Sequence, residues 1–262
     1  MAESVQSPTA LTEHAVSTDA DAIRLSPPWW RQASASLARS KWPIVAILFL
    51  LALTFVAIFA EQIAPADPNR QNLIRRLQPP LTLAEDGSME YWLGSDGLGR
   101  DVLSRIIYGA RLALIVALIA GVLTCLIGAT LGLIAGYYRG WPDRIISRFI
   151  DIWMAFPPVL FAILLMAVLG TGITSIIIAI VVIDWTRFAR VIRAEAMGQS
   201  AMDYVASAQV AGRTRFGTML TEILPNVLPT IVALLTLEMG IAVIVEAILS
   251  FVNLSISTDS PT

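Results

Sequence analysis

Residues 203–226 read Asp-Tyr-Val-Ala-Ser-Ala-Gln-Val-Ala-Gly-Arg-Thr-Arg-Phe-Gly-Thr-Met-Leu-Thr-Glu-Ile-Leu-Pro-Asn, a polar interruption in a chain otherwise suited to lipid. Ser200 and Asp203 stand at capping-box spacing before a short helix of small and apolar residues. Gly212 can supply the left-handed turn that ends that helix, and Pro225 can restart the chain toward the membrane. A plain connector needs none of these devices, so the stretch is expected to grip another protein.

Around it the chain is strongly apolar. Of its 262 residues 56% are hydrophobic and 15% charged, and the mean hydropathy is +0.71, which predicts an integral membrane protein in contact with the lipid bilayer. The net charge of -2 and arginines that flank apolar runs exclude a basic stripe for nucleic acid. Cys125 has no intrachain partner, and His14 has no neighbouring ligands, so neither a disulfide nor a metal site is expected. Residues 1–40 show no apolar period and read as a disordered tail; they lack the basic-then-apolar order of a secretory signal.

Crossing about 30 Å of hydrocarbon takes about 20 apolar residues. Five stretches approach that length, roughly 43–60, 112–136, 154–170, 172–189 and 228–252. Gly170-Thr171-Gly172 predicts a tight reversal between the third and fourth, and Pro157 and Pro158 a kink or start in the third. Arg31, Arg39 and Lys41, then Arg139, Arg144 and Arg148, then Arg187, Arg190, Arg193, Arg213 and Arg215 mark three cytoplasmic segments, with the N-terminus inside. Residues 61–111 then face outward. Ile145, Phe149, Ile152, Trp153 and Phe156 recur at helical spacing opposite Arg144, Arg148 and Asp151, a face for a partner subunit or for lipid headgroups.

Several stretches resemble one family. Ala206-Ser207-Ala208, Gly212 and Leu224-Pro225 keep the spacing of the cytoplasmic signature of ABC-transporter permeases, with Ala206 in place of its Glu and Glu222 in place of its first Ile. Residues 91–105 with Tyr108-Gly109-Ala110-Arg111 resemble the segment before the second span in permeases of the dipeptide, oligopeptide and nickel import group. Gly136 to Trp141, Asp151 to Pro157, Ile223 to Asn226 and Glu246 to Phe251 are similar to the same group, with Asn253 and Ser255 in place of glycines.

The resemblance implies an all-α integral membrane protein, a polytopic helix bundle of the type I ABC importer permease kind. It also implies a bacterial or archaeal plasma membrane and import of short peptides or a similar solute. The implied partners are a second permease subunit, two ATP-binding subunits that carry ATP and Mg, and an external solute-binding protein. The implied docking loop is about 190–226, with Asp203, Tyr204, Val205, Ala206, Ser207, Ala208, Gly212, Leu224 and Pro225 at its centre. Residues 41–262 form the permease domain. Five spans stand where the family usually has six, so a C-terminally truncated permease is expected, with an assembling but non-transporting remnant as the alternative.

Gly94, Gly97 and Gly99 lack both the G-x-G-x-x-G order and a preceding strand, and no G-x-x-x-x-G-K-[ST] occurs, so ATP must be handled by another subunit. They predict a tight outer loop before a helix starting near Arg100. Ionisable residues within spans are costly, which makes Glu238 and Glu246, about 80° apart on one helix, candidates for a pathway wall. Asp184 is expected to pair with Arg187 one turn on. Gly121, Gly128, Gly132 and Gly136 form a stripe for close helix packing. A membrane protease built on Asp151 and Asp184 is the rival reading, and the absence of H-E-x-x-H and G-x-S-x-G argues against it.

Overall fold

The computed structural model describes residues 41–84 and 87–251; the expected tail with His14 and the helix end at Asn253 and Ser255 lie outside them. The chain divides into two compact units, Met1–Ala52 and Leu53–Thr262. Helix α1, Trp42–Ile58, is apolar throughout and has no charged residue in its first or last turn. Trp42, Leu48 and Phe49 are exposed, as a helix solvated by lipid requires.

In the second unit a short α2, Ala60–Ile63, precedes a compact polar segment and then α3, Val102–Tyr138. The 37 residues of α3 extend about 55 Å at 1.5 Å per residue, far beyond the hydrocarbon. The expected span at 112–136 therefore continues from the preceding segment without a break. Asp101 caps α3, its Oδ2 accepting from the Ser104 N–H at 2.8 Å. Arg139, at φ 53°, turns the chain into α4, Gly140–Met154.

Helices α4 and α5, Pro158–Leu169, meet at 85°. Pro157 and Pro158 break the helix here, which shortens the expected third span and leaves α4 as the amphipathic element. Gly170, at φ +85°, and Gly172, at φ +146°, make the expected reversal into α6, Ile173–Gln199. Among the described residues two helices qualify outright as spans by length and apolar content, α3 and the run Arg215–Ser250, and the bent α4–α5 pair makes up to three. The other two expected spans fall on α1, with 17 residues, and α6, with 27 residues and five ionisable side chains from Asp184 to Glu195.

Helix α3 lies between α6 and α9, Leu224–Phe251. The glycine stripe explains how closely. A Cβ on Gly132 would stand 2.6 Å from the Ala189 carbonyl oxygen and one on Gly136 2.5 Å from that of Arg193; both backbones touch where side chains would normally intervene. Gly121 instead faces Leu235 and Met239 of α9. Two main apolar cores result. One joins Val116, Ala120, Met166, Ile180 and Leu249; the other joins Tyr137, Ile192, Val205, Ile223 and Val227 at the far end of α3.

The segment before α3 carries an antiparallel pair, β1 Thr82–Leu83 and β2 Met89–Tyr91. Gly99, at φ +72°, approaches Asn72 so closely that a Cβ would lie 1.8 Å from its carbonyl oxygen. Asp96 accepts from the Leu98 and Arg100 backbone N–H groups at 2.9 and 3.0 Å and pairs with Arg100 and Arg105. The tight loop expected from these glycines is present.

Two sequence expectations at the opposite end need correction. Ser200 ends α6 instead of capping the next helix: its hydroxyl donates to the Met197 carbonyl at 2.9 Å and accepts from Arg139 at 3.1 Å. Pro225 does not restart the chain. The last helical run begins ten residues earlier with α8, Arg215–Thr218, capped by the Thr214 hydroxyl, and passes through a π turn, Met219–Ile223, into α9. Pro225 has no N–H for the carbonyl four residues back. The π turn absorbs the mismatch, and Asn226 Nδ2 donates to the Glu222 carbonyl at 2.7 Å.

Candidate functional site

Helix α7, Asp203–Val210, stands between the two long helices α6 and α9, and its sequence divides it into two faces. Val205 is 2% exposed and packs among Tyr137, Ile192, Met219 and Ile223. Beside it Tyr204 is half-buried, and its hydroxyl donates to Gln199 Oε1 at 2.9 Å. Burial, and then the Glu222 carboxylate, push the Tyr204 phenol above its ordinary value. Tyr204 therefore belongs to the anchoring face. Gln209 Nε2 donates to the Tyr137 hydroxyl at 3.3 Å, a second tie to the end of α3.

The opposite face is open. Asp203, Ala206, Ser207 and Val210 are exposed, as are Met202 and Phe216 nearby. Ala206 and Ser207 leave this face low, so another surface can approach the α7 backbone. Gly212, at φ +87°, ends the helix: the Gly212 N–H donates to the Gln209 carbonyl at 3.0 Å and the Arg213 N–H to that of Ala208 at 3.1 Å. Arg213 then turns back to Glu222 at 2.7 Å and to Thr221, binding the turn to the foot of α9. Leu224 is part-buried and Pro225 exposed; both belong to this foot and not to the α7 face.

Two more ion pairs hold the same end of the bundle. Arg193 of α6 meets Asp143 of α4, with Nη2 and Oδ2 2.9 Å apart, and Arg190 meets Asp151 at 2.8 Å. Arg139 Nη2 donates to the Met197 carbonyl at 3.0 Å. These arginines, read in the sequence as topology marks, also brace α4 and the α3–α4 corner against α6. Nothing in their spacing could have revealed partners 39 to 58 residues away.

The candidate pathway acids separate. Glu246 is half-buried. Glu238 is 3% exposed and turns toward Asp184, so the two do not form one open wall. The expected Asp184–Arg187 pair is present at 3.3 Å, but Asp184 is itself 4% exposed, a depth the sequence did not indicate. Asp151 is taken up by Arg190 on the exposed side of α4, apart from the buried Asp184.

Comparison with known proteins agrees with this geometry. The profile of the binding-protein-dependent transport system inner membrane component family matches residues 128–258, and that of the N-terminal TM domain of oligopeptide transport permease C matches residues 28–80. The dipeptide transport system permease protein DppC of Alkalihalophilus pseudofirmus is 36% identical over 88% of this chain and 74% of its own length. The glutathione transport system permease protein GsiD of Pectobacterium atrosepticum is 34% identical over 88% and 75%. The di/tripeptide transport system permease protein DppC of Pseudomonas aeruginosa is 36% identical over 86% and 74%. With its helical bundle and the α7 corner in place, the chain belongs to the family of binding-protein-dependent transport system inner membrane components, the multi-pass permease subunits of ABC importers.

Proposed function

We propose that this permease carries short peptides or a similarly sized solute inward, as one of two permease subunits served by an external solute-binding protein and two ATPase subunits. ATP and Mg are bound in those ATPase subunits, and the open face of α7 docks on them from the cytoplasm, with the N-terminus on the same side. The single observation that carries this reading is the two-faced α7. Its inner face is locked into a core shared by α3, α6 and α9 through Val205, while Ala206, Ser207 and Val210 stay exposed.

A force applied to the open face thus reaches three long helices through packed side chains. Coupling requires the docked ATPases to hold α7 differently in their open and closed states, which shifts the bundle between two arrangements. The printed names of the relatives, with dipeptide, di/tripeptide and glutathione among them, support a peptide-like solute.

Ala206→Arg tests the docking face, because a long cation on a low exposed surface blocks approach without disturbing the core. Co-purification of the ATPase is expected to fall at least about tenfold, equivalent to about 1.4 kcal/mol, while permease abundance in the membrane holds. Unchanged co-purification with both Ala206→Arg and Val210→Asp would remove α7 as the docking element.

A further inference from the structure

Helices α6 and α9 meet at two acids. Asp184 is 4% exposed and Glu238 3% exposed, and the two helices that carry them pack against each other, with the acids near enough to interact. The Arg187 guanidinium is 3.3 Å from Asp184 Oδ1. Glu238 Oε1 is buried without a hydrogen-bond partner, and so is Thr124 Oγ1 on α3. Thr124 lies on the stripe between Gly121, which faces Leu235 and Met239 of α9, and Gly128, which faces Trp185 and Phe188 of α6. Three helices therefore carry buried polar side chains where they pack together in an otherwise apolar bundle.

The charges there do not balance. Two ionised carboxylates and one guanidinium leave one negative charge, and ionised carboxylates hold only acceptors, so they cannot bond to each other directly. Burying them side by side is unfavourable on both counts. The packed elements bring no further cation. Between Arg111 and Arg139, α3 carries only Cys125, Tyr137 and Tyr138 as titratable groups, and α5 carries none. On α4, Asp143 and Asp151 are paired with Arg193 and Arg190, and Arg144 and Arg148 are exposed. On α9 the other acid, Glu246, lies two turns on.

We propose that Asp184 and Glu238 form a monocation site, holding one proton or one sodium-sized alkali ion, that ties α6 to α9. A proton would let one carboxyl donate to the other and leave a single carboxylate facing Arg187. An alkali ion would sit between carboxylate oxygens, and Thr124 Oγ1 is an orphan oxygen on the third helix suited to join them. The site is built by the bundle and is independent of the docking face. Loss of ATPase binding in the Ala206→Arg variant would leave it intact.

Two measurements on the purified permease with its partner subunits, in lipid nanodiscs at neutral pH, decide the matter. One is binding of radiolabelled sodium; the other is the infrared carbonyl stretch of a protonated carboxyl group. The proton form predicts a protonated-carboxyl band that disappears in Glu238→Gln or Asp184→Asn, with no saturable sodium binding. The sodium form predicts saturable binding weakened at least about tenfold by Glu238→Gln and also reduced by Thr124→Val, with no such band. Glu238→Gln and Asp184→Asn each replace an acid and Thr124→Val a hydroxyl while keeping the shape, and thermal unfolding of the same samples verifies folding. Wild-type protein that shows neither sodium binding nor a band sensitive to either acid substitution overturns the proposal.

Discussion

At the scale of single residues, the packing of α3 rests on what glycine omits. Gly132→Ala would drive a methyl to 2.6 Å from the Ala189 carbonyl oxygen, and neither backbone can retreat without opening the α3–α6 contact. A loss of about 1–3 kcal/mol is expected. Gly109, also on α3, has nothing within 4 Å of a Cβ, so Gly109→Ala should be neutral or stabilising by up to about 1 kcal/mol. Thermal unfolding in detergent checks the pair; equal effects would refute the close approach. The sequence disclosed the stripe because small residues at steps of four and seven have one obvious use, but it could not say that α6 and α9 share it.

Asp96 allows a test by pH. Burial alone would raise its carboxyl, but the Arg100 and Leu98 backbone N–H groups and the Arg100 and Arg105 side chains outweigh this and hold it at about 2 against an ordinary 3.8. A carboxyl lowered on folding contributes stability that is complete above its unfolded value and disappears as pH falls through the folded one. Limited proteolysis of the 64–101 segment should therefore show resistance that persists to about pH 4 and declines toward pH 2. In Asp96→Asn the resistance should be lower and flat across that window. A wild-type profile as flat as the variant's would show that Asp96 does not hold the loop.

Among elements, α7 is the one whose two faces matter. Val205→Ala removes two methyl groups from a side chain that is 2% exposed, costing about 1.5–3 kcal/mol. Because α7 has only eight residues, the cost should fall on its own attachment. Hydrogen exchange at 203–212 is expected to speed up while α3 and α9 stay protected. Uniform acceleration across the bundle would mean that α7 is not a separately anchored unit. The helix itself was legible, since Gly212 sets a stop that few other residues allow. Its orientation was not: Tyr204 is aromatic and amphipathic and suits either face, and only the reach of Gln199 and the floor formed by Ile192 and Ile223 turn it inward.

The foot of α9 shows a second limit of the same kind. A proline followed by an apolar run reads as a helix start, yet Thr214 caps the helix ten residues earlier and a π turn takes the chain past Pro225. A π turn has no local composition of its own. It exists because Arg213, Thr221, Glu222 and Asn226 together satisfy the backbone and side-chain groups around it.

For the whole molecule, apolar runs, flanking arginines and the Gly170–Gly172 reversal were enough to place the helices in order, since each signal acts within one element. The long-range ties were hidden. Asp143–Arg193, Asp151–Arg190 and the Asp184–Glu238 meeting depend on which helix faces which, and that is decided by the glycine stripe and the break at Pro157–Pro158. Within the unit from Leu53 onward, α3 runs continuously from the compact segment that precedes it to the end where α7 packs. A movement of α7 can thus reach the opposite end of α3 through a single continuous helix.

The most direct test of the account is the reaction of Val210→Cys with a membrane-impermeant maleimide, since Val210 is 89% exposed and the native Cys125 is buried. The account predicts labelling in inside-out vesicles, none in intact cells, and protection when the ATPase subunits are bound. Labelling from outside intact cells would put α7 on the wrong side of the membrane and contradict its role as the handle on which ATPases act.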